Sequence, residues 1–426
     1  MERFNLKKSK LFLILTFIIT LSLAFNVCVS SSVHASSNST DSPQVSIYGK
    51  SALTIDMQTG EIIYAKDIDK RLYPASTTKL LTAILLTENK NKNDVLKYTE
   101  GAKKQPESSL NVNIHPIDAG ETISAEDVMD GMLLFSGNDM AYMIADNIEK
   151  GEPDFINKMN EKAKSLNLKN THFVTPNGLH NPDHYTTTYE LSVIANEAFQ
   201  NPWIRETIGK QESTFKSSKG TTFTVKNTNK LLGKNGCIGG KTGYTSQAGR
   251  CLVAFYDRGG RKMLGIVMNS VYDPNDTFVF NDMEKIIDLS YSVKPAVLYG
   301  KNSTIETKTA DYKPLGIIPF HSKISVPLYV KDDITYYDNE INKDELSTSF
   351  NLSNINFSSL TGKTPIGTIT IKQRNSTKSY KLYSSINKSD LIKKYIPEYI
   401  AFAAVLILLI CILVKFFVSF KRKSKL

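Results

Sequence analysis

The sequence predicts an α+β fold in three parts: a larger domain with a mixed helix-and-antiparallel-sheet core over residues 46–292, a small all-β domain over 294–386, and a transmembrane helix over 399–420. Three observations predict this arrangement. Strand patterns stand at both ends of the larger domain with helical patterns between them, which favours one sheet packed against helices. The next segment holds short alternating runs and no convincing helix. An uncharged apolar run then follows, long enough to cross a bilayer.

The larger domain begins with a predicted hairpin over 51–66, around the turn residues Gln58, Thr59 and Gly60. Ser124-Ala125-Glu126-Asp127 has the capping-box form that begins a helix. Further helical patterns occur at 77–87, 138–148, 153–166, 188–199 and 283–291. Strand patterns return at 221–225, 237–242, 250–256 and 262–268. We expect the first hairpin to lie beside these last strands in one sheet.

Residues 1–35 have the pattern of a secretory signal peptide. Basic residues precede an apolar run over 11–25, and small residues on either side of His34 favour cleavage after Ala35. An uncleaved membrane helix is the alternative. Cleavage and export would leave the remainder of the chain outside the cytoplasm.

The apolar run near the C-terminus predicts a single membrane span. No charge occurs over 399–414, and the apolar character continues beyond Lys415, so the 22 residues of 399–420 match a hydrocarbon core of about 30 Å. A surface helix is the alternative, but this run is apolar on every face. A basic tail over 421–426 follows, which by the positive-inside rule lies in the cytoplasm. We expect a single-pass protein of the cell membrane with its larger domain on the extracytoplasmic side.

The net charge of +10 does not indicate nucleic-acid binding, because +3 lies in residues 1–35 and +5 lies after residue 414, which leaves +2 between them. The histidines are scattered and no metal-ligand spacing occurs, so we expect no metal and no cofactor. Cys237 and Cys251 lie outside the signal and the span. They flank one predicted hairpin, whose pairing places Lys241 rather than Cys237 opposite Cys251, so a disulfide is not expected.

Three short motifs occur in order along the larger domain: Ser76-Thr77-Thr78-Lys79, Ser136-Gly137-Asn138 and Lys241-Thr242-Gly243. Motifs of these kinds form the signature of enzymes that react with penicillin through a serine. The first pattern also occurs at 213–216 and 385–388, whereas Lys-Thr-Gly occurs once. Order and structural context must therefore carry the assignment.

The context of Ser76 favours a nucleophile. It lies where a helix begins, and Lys79 follows at a spacing that places both on one helical face. The rest of this helix is almost wholly apolar, so Lys79 should be buried, lose its charge and accept the Ser76 proton. The helix N-terminus would direct N–H groups at an oxyanion. The alternative is that Ser76 only caps the helix and Lys79 is solvated.

The other two motifs suit substrate binding. Ser136 could relay a proton to a leaving amine, and Asn138 could hold a substrate amide; the alternative is a turn in which Asn138 caps the next helix. Lys241 and Thr242 follow two glycines in a strand pattern and could bind a carboxylate. The alternative there is an ordinary hairpin end with a solvated lysine.

The longer segments 74–79, 134–139, 240–245 and 248–254 resemble those of the low-molecular-mass penicillin-binding proteins that are D-alanyl-D-alanine carboxypeptidases. This resemblance implies a β-lactamase/transpeptidase-like fold for the larger domain, serine-type hydrolase activity on peptidoglycan stem peptides, and inhibition by β-lactam antibiotics. It implies these residue roles: Ser76 as nucleophile, Lys79 as base, Ser136 in proton transfer, and Asn138, Lys241, Thr242, Gly243 and Tyr244 in substrate binding. The backbone N–H groups of Ser76 and Tyr244 would form the oxyanion hole.

One departure and two alternatives remain open. Some members of this family place a carboxylate-binding arginine where this chain has Asn269-Ser270-Val271-Tyr272, so that contact is absent or supplied elsewhere. A β-lactamase shares all three motifs, and Glu190 is a candidate for the extra deacylating glutamate of such enzymes. A non-catalytic protein that binds the cell wall through its β-rich domain is the alternative from another class.

Overall fold

The computed structural model describes residues 45–423 except 107, 313–321, 354–359, 361, 375 and 385. The predicted signal peptide and residues 424–426 of the predicted tail lie outside this part of the chain.

The larger domain contains strands from both halves of its sequence. They are β1 (Ser51–Asp56), β2 (Ile62–Lys66), β3 (Arg71–Leu72), β4 (Val95–Lys97), β5 (Thr122–Ser124), β6 (Thr186–Thr187), β7 (Glu212–Lys216), β8 (Thr222–Lys226), β9 (Cys237–Thr245), β10 (Gly249–Arg258) and β11 (Arg261–Ser270). The principal sheet has the order β2-β1-β11-β10-β9 with every neighbour antiparallel. The predicted placement of the first hairpin beside the last strands is therefore confirmed.

Six of the helices that the structure describes in this domain correspond to predicted segments, whereas the short helices at 100–103, 110–113 and 202–208 were not predicted. The helices are α1 (Lys79–Asn89), α2 (Glu100–Lys103), α3 (Leu110–Asn113), α4 (Ala125–Asp130), α5 (Asn138–Ile148), α6 (Glu152–Ser165), α7 (Thr188–Gln200), α8 (Pro202–Ile208) and α9 (Phe278–Ser292). The predicted capping box is present, because the Ser124 side chain accepts a hydrogen bond from the backbone N–H of Asp127.

The central sheet is buried on both faces. Along β10, Val253 and Phe255 pack with the helices around α1, while Leu252 and Ala254 point to the opposite face and pack with α9. Successive side chains of a strand point to opposite faces, so this alternation divides the apolar residues of one strand between two cores. The arrangement fixes the edge strand β9 beside the first turn of the α1 region.

The pairing predicted around Cys251 is wrong by two residues. Cys251 lies opposite Gly243, and Lys241 lies opposite Val253. The predicted strand ended at Thr242, but β9 continues through Thr245, which moves the hairpin turn further along the chain. Cys237 and Cys251 are both free thiols and both are buried.

The smaller domain is built from β12 (Ala296–Tyr299), β13 (Glu306–Tyr312), β14 (Ser322–Leu328), β15 (Ile334–Tyr336), β16 (Ser347–Leu352), β17 (Gly367–Lys372) and β18 (Thr377–Leu382). The sequence did not predict its six-residue helix α10 (Glu340–Glu345), which begins at an Asn339 cap. The domain contacts the edge strand β2: Asn342 Nδ2 donates to the carbonyl of Ile62 at 2.8 Å. Lys378 pairs with Glu61 at 2.9 Å. These elements confirm the predicted α+β class, while the domain boundaries stay a prediction.

The chain ends in α11 (Lys388–Lys394) and the long helix α12 (Ile396–Lys423). The 23 residues from Ile396 to Val418 are apolar and long enough to cross a membrane, and none of that window is buried within the protein. Between the two helices, Tyr395 is buried in the core of the smaller domain beside the ring of Tyr312.

Candidate active site

Ser76 lies in a 3₁₀ turn, Ala75–Thr78, that leads directly into α1. Ala75 adopts a φ of 48°, and Thr77 Oγ1 donates a hydrogen bond to the carbonyl of Pro74 at 2.7 Å, which closes the turn. Lys79 is the first residue of α1, three positions after Ser76. Its Nζ lies 2.9 Å from Ser76 Oγ. The side chains of Ser76 and Lys79 therefore lie together on one helical face, as the sequence predicted.

Lys79 is enclosed by protein. Every residue of α1 from Lys79 to Leu86 is buried, and the lysine itself is 0% exposed. Burial is the main reason why its pKa lies well below the usual 10.5, and the positive charge of Lys241 lowers it further, while Asp139 opposes the shift. Lys79 is therefore not the solvated first-turn lysine of the alternative.

The hydrogen bonds of Lys79 orient its lone pair. Besides Ser76 Oγ, the Nζ atom lies 2.9 Å from Asn138 Oδ1 and 2.9 Å from the carbonyl oxygen of Asn177. These two oxygens can only accept, so they use both N–H bonds of a neutral amine. The remaining lone pair of the nitrogen then faces the hydroxyl of Ser76. This is the arrangement that a base needs to take the serine proton.

Ser136 connects the second motif to the third. A π-helical turn, Gly131–Phe135, lies between α4 and α5. Ser136 ends that turn in the left-handed conformation, with φ of 76°. Its Oγ accepts a hydrogen bond from Lys241 Nζ at 2.9 Å. Asn138 follows as the first residue of α5 and reaches Lys79.

Lys241 is also buried, at 1% exposed. Burial lowers its pKa to about 7, and the charge of Arg250 adds to the effect. Its Nζ donates to Ser136 Oγ and, at 3.1 Å, to the carbonyl of Thr242. The Thr242 hydroxyl is 2.6 Å from that of Thr228. The solvated-lysine alternative therefore does not describe Lys241 either.

The glycine of the third motif allows two segments to touch. A Cβ atom added to Gly243 would lie 3.0 Å from Ser76 N and 3.1 Å from Pro74 O. Such contacts are tighter than those of ordinary side chains, so a glycine lets β9 lie against the catalytic turn. Tyr244 follows with a side chain that is 44% exposed. The three motifs thus meet around Ser76.

Asn177 is a residue of the site that the sequence did not predict. Its carbonyl accepts from Lys79, and its side chain donates to Gln105 Oε1 at 3.1 Å. The next residue, Gly178, has a φ of +83°, and a Cβ there would lie 1.9 Å from the carbonyl oxygen of Ala75. Pro176-Asn177-Gly178 is a turn signal in the sequence, but nothing local indicates that the turn contacts a lysine 98 residues away.

His184 contacts both the segment that leads into the Asn177 loop and the turn that contains Ser76. Its Nδ1 accepts from the backbone N–H of Val174 at 3.2 Å, which leaves Nε2 to donate to Thr78 Oγ1 at 2.9 Å. Burial lowers the pKa of His184 to about 3, so the imidazole is neutral. A neutral ring thus joins the loop of Asn177 to the turn of Ser76.

Glu190, the candidate deacylating residue, is engaged elsewhere. Its carboxylate accepts from the backbone N–H groups of Lys169 and Asn170, at 2.8 Å and 2.9 Å, and from the hydroxyl of Thr171. These contacts hold the segment before the Asn177 loop in place, so Glu190 has a structural role. Over the described ranges, no group of three or more His, Cys, Asp or Glu side chains forms a metal site.

Comparisons with known proteins agree with this geometry. The family model described as D-alanyl-D-alanine carboxypeptidase matches residues 36–271. The carboxypeptidase DacF of Bacillus subtilis is 31% identical over 60% of this chain and 66% of its own length. A carboxypeptidase from a Streptomyces species is 34% identical over 55% of this chain and 84% of its own. The match to the Streptomyces protein thus covers a larger share of the relative's own length than the match to the Bacillus protein does.

Solved structures give the same answer. The crystal structure of a Streptomyces DD-transpeptidase superposes with a TM-score of 0.53 at 30% identity, over 59% of this chain and 99% of that chain. The resemblance inferred from the three motifs is thereby confirmed, together with the penicillin-binding fold of the larger domain. The chain belongs to the D-alanyl-D-alanine carboxypeptidase family and is a serine-type hydrolase of that kind.

Proposed function

We propose that this enzyme removes the terminal D-alanine from peptidoglycan stem peptides through an acyl-enzyme on Ser76. The observation that carries the proposal is the environment of Lys79 Nζ, which contacts Ser76 Oγ and two acceptor oxygens at 2.9 Å each. An amine in that setting has its lone pair directed at the serine hydroxyl and is not held as an ammonium by any carboxylate hydrogen bond.

In the first half of the reaction, Lys79 takes the proton of Ser76 while Oγ attacks the carbonyl carbon of the penultimate residue. The backbone N–H groups of Ser76 and Tyr244 stabilise the oxyanion. The C–N bond then breaks, and Ser136 gives its hydroxyl proton to the departing amine of D-alanine while it takes a proton from Lys241, which donates to its Oγ. Water afterwards hydrolyses the ester on Ser76.

The other residues of the three motifs hold the substrate. Asn138 lies at the start of α5 with its amide in the site, and Thr242 and Gly243 lie along the edge strand β9. A peptide extended beside that edge can bond to its backbone. β-Lactam antibiotics present a strained amide to the same serine and would act as inhibitors by leaving a slowly hydrolysed adduct.

The enzyme works at a membrane surface in this proposal. The apolar part of α12, Ile396–Val418, crosses the cell membrane once, the basic residues at the C-terminal end of this helix lie in the cytoplasm, and both folded domains lie on the extracytoplasmic side. The apolar length of α12 and the cationic residues in its last turn support this orientation. The substrate at that location is the cell wall, and nucleic acid is not a partner.

The test uses full-length protein in detergent with a peptide that ends in D-Ala-D-Ala. Wild type should release free D-alanine and retain a fluorescent penicillin on the protein, and Ser76→Ala should do neither while keeping its melting temperature. Ser213→Ala is the matched control, since Ser213 begins the second SxxK pattern but lies in strand β7. Labelled Ser76→Ala would refute the assignment.

The same experiment separates the alternatives. A β-lactamase would hydrolyse penicillin repeatedly and leave little label on the protein. A wall-binding protein without catalysis would retain peptide and release no D-alanine.

A further inference from the structure

Acylation of Ser76 creates a buried positive charge. When Lys79 takes the proton of Ser76, its amine becomes an ammonium at a residue that is 0% exposed. The positive charge of Lys241 acts on the same amine and disfavours its protonation. Because a buried charge without a counterion is costly, this step needs a negative group close to the two lysines.

Asp139 is a buried carboxylate beside the second motif. It follows Asn138, whose Oδ1 lies 2.9 Å from Lys79 Nζ, and it is itself 0% exposed. Burial and the charge of Lys241 lower the pKa of Lys79, and the negative charge of Asp139 opposes them. Over the described part of the chain, the charged groups that act on Lys79 are thus Lys241 from β9 and Asp139 from α5.

The hydrogen bonds of Asp139 suit an ionised carboxylate. Oδ1 accepts from the backbone N–H of Met140 at 2.9 Å. Oδ2 accepts from the backbone N–H of Asn111 at 3.0 Å and from the Tyr98 hydroxyl at 3.1 Å. Burial and the charges of Asp139 and Glu121 raise the pKa of Tyr98, so its phenol keeps the proton that it donates. Burial raises the pKa of Asp139, but donors on both oxygens lower it and favour the charged form.

Asp139 also holds the second motif in place. Its Oδ2 ties the segment 108–111 to the start of α5. In the same segment, the carbonyl of Ser108 accepts from the backbone N–H of Asn138 at 2.7 Å. The backbone of Asn138 is therefore fixed where its Oδ1 reaches Lys79 Nζ.

We propose that Asp139 is a positioning residue for acylation, which keeps Asn138 in contact with Lys79 and whose negative charge compensates the ammonium that forms there. The inference rests on the proposed function and adds a residue outside the three motifs. Without this charge the pKa of Lys79 would be lower still, so the amine would be a weaker base and would lose its added proton at a lower pH. Acylation should then be slower, and its pH dependence should move to lower pH.

The test is the rate constant for acylation by a fluorescent penicillin from pH 5 to 9, with full-length protein in detergent. For Asp139→Asn, the plateau rate should fall about 10- to 100-fold, and the pH of the half-maximal rate should be lower than in wild type. Asp139→Ser is a second uncharged variant, used in case Asp139→Asn does not fold, and should show the same shift. Tyr98→Phe keeps the charge but removes one hydrogen bond, so it should lower the melting temperature and leave the half-maximal pH unchanged.

Asp146→Asn is the matched control, because Asp146 lies two turns further along α5 and accepts from the hydroxyl of Thr99. It should keep the plateau rate and the pH dependence of wild type. An unchanged half-maximal pH in the Asp139 variants, or an equal shift in Tyr98→Phe, would overturn the inference even if wild type is acylated and releases D-alanine. A wild type that is not acylated would overturn the proposed function and this inference with it.

Discussion

Replacing Lys79 by arginine keeps a positive charge at this position but removes the base, so it distinguishes these two roles of the residue. Arginine could still donate to the carbonyl oxygens of Asn138 and Asn177, which accept from Lys79 at 2.9 Å each. A guanidinium does not lose its proton in a protein, so it has no lone pair for the hydroxyl of Ser76. If Lys79 is a neutral base, Lys79→Arg should be as inactive as Lys79→Met.

The expected loss follows from the role. A positioned general base contributes about 10²- to 10⁴-fold to a rate. Conversion at 1.36 kcal/mol per factor of ten gives about 2.7–5.4 kcal/mol of activation free energy. Lys79→Met also leaves two buried carbonyl oxygens without a donor, at about 1–3 kcal/mol each, so its melting temperature should be the lower of the two.

The assay is the rate constant for acylation by a fluorescent penicillin, measured from pH 5 to 9 on full-length protein in detergent. In wild type the rate should fall as the pH decreases through the lowered pKa of Lys79, because the protonated amine cannot accept a proton. Lys90→Arg, at the other end of α1, is the control and should keep the wild-type rate. A Lys79→Arg enzyme within tenfold of wild type would refute the role of Lys79 as base.

Two further predictions concern the loop behind the site. Gly178→Ala should lower both acylation and the melting temperature, because its Cβ would lie 1.9 Å from Ala75 O, whereas Gly220→Ala, with a similar φ of +85° but nothing within 4 Å, should leave acylation intact; equal acylation rates would contradict this reasoning. The pKa of His184 is about 3 in the folded protein and 6.5 in the unfolded chain, so the unfolded chain binds this proton at a higher pH than the folded protein does. As the pH decreases below 6.5, the free energy of unfolding should therefore fall by up to about 1.4 kcal/mol per pH unit. Urea titrations should show that His184→Gln removes this part of the slope, and an unchanged slope would exclude His184 as its source.

The local part of the site was predictable from the sequence, and the long-range part was not. Ser76 and Lys79 are three positions apart at a helix start, so helical geometry alone brings them together. The burial of Lys79 was also predictable, because α1 is apolar on every side. By contrast, the Asn177 contact depends on how a distant loop folds back, and the sequence signals only that a turn exists there.

The errors have physical causes too. Gly243 and Tyr244 lie beyond the predicted end of β9, since glycine rarely continues a strand, yet the close approach of Ser76 N makes glycine the suitable residue there. This error shifted the expected partner of Cys251 by two positions. Helix α10 was missed because six residues are too few to show an apolar period.

The junction at Tyr395 governs how far the enzyme can reach. Tyr395 is buried within the smaller domain, and its carbonyl accepts from the backbone N–H of Tyr399 at 3.1 Å, in the first turn of α12. Helix α12 therefore begins at a packed core and not at a flexible linker. Since the smaller domain also bonds to β2 of the catalytic sheet, the proposed membrane topology would hold Ser76 within a limited range of heights above the lipid. In that topology the stem peptides within this range would be its substrates, and peptides in more distant layers of the wall would have to approach the membrane before they were trimmed.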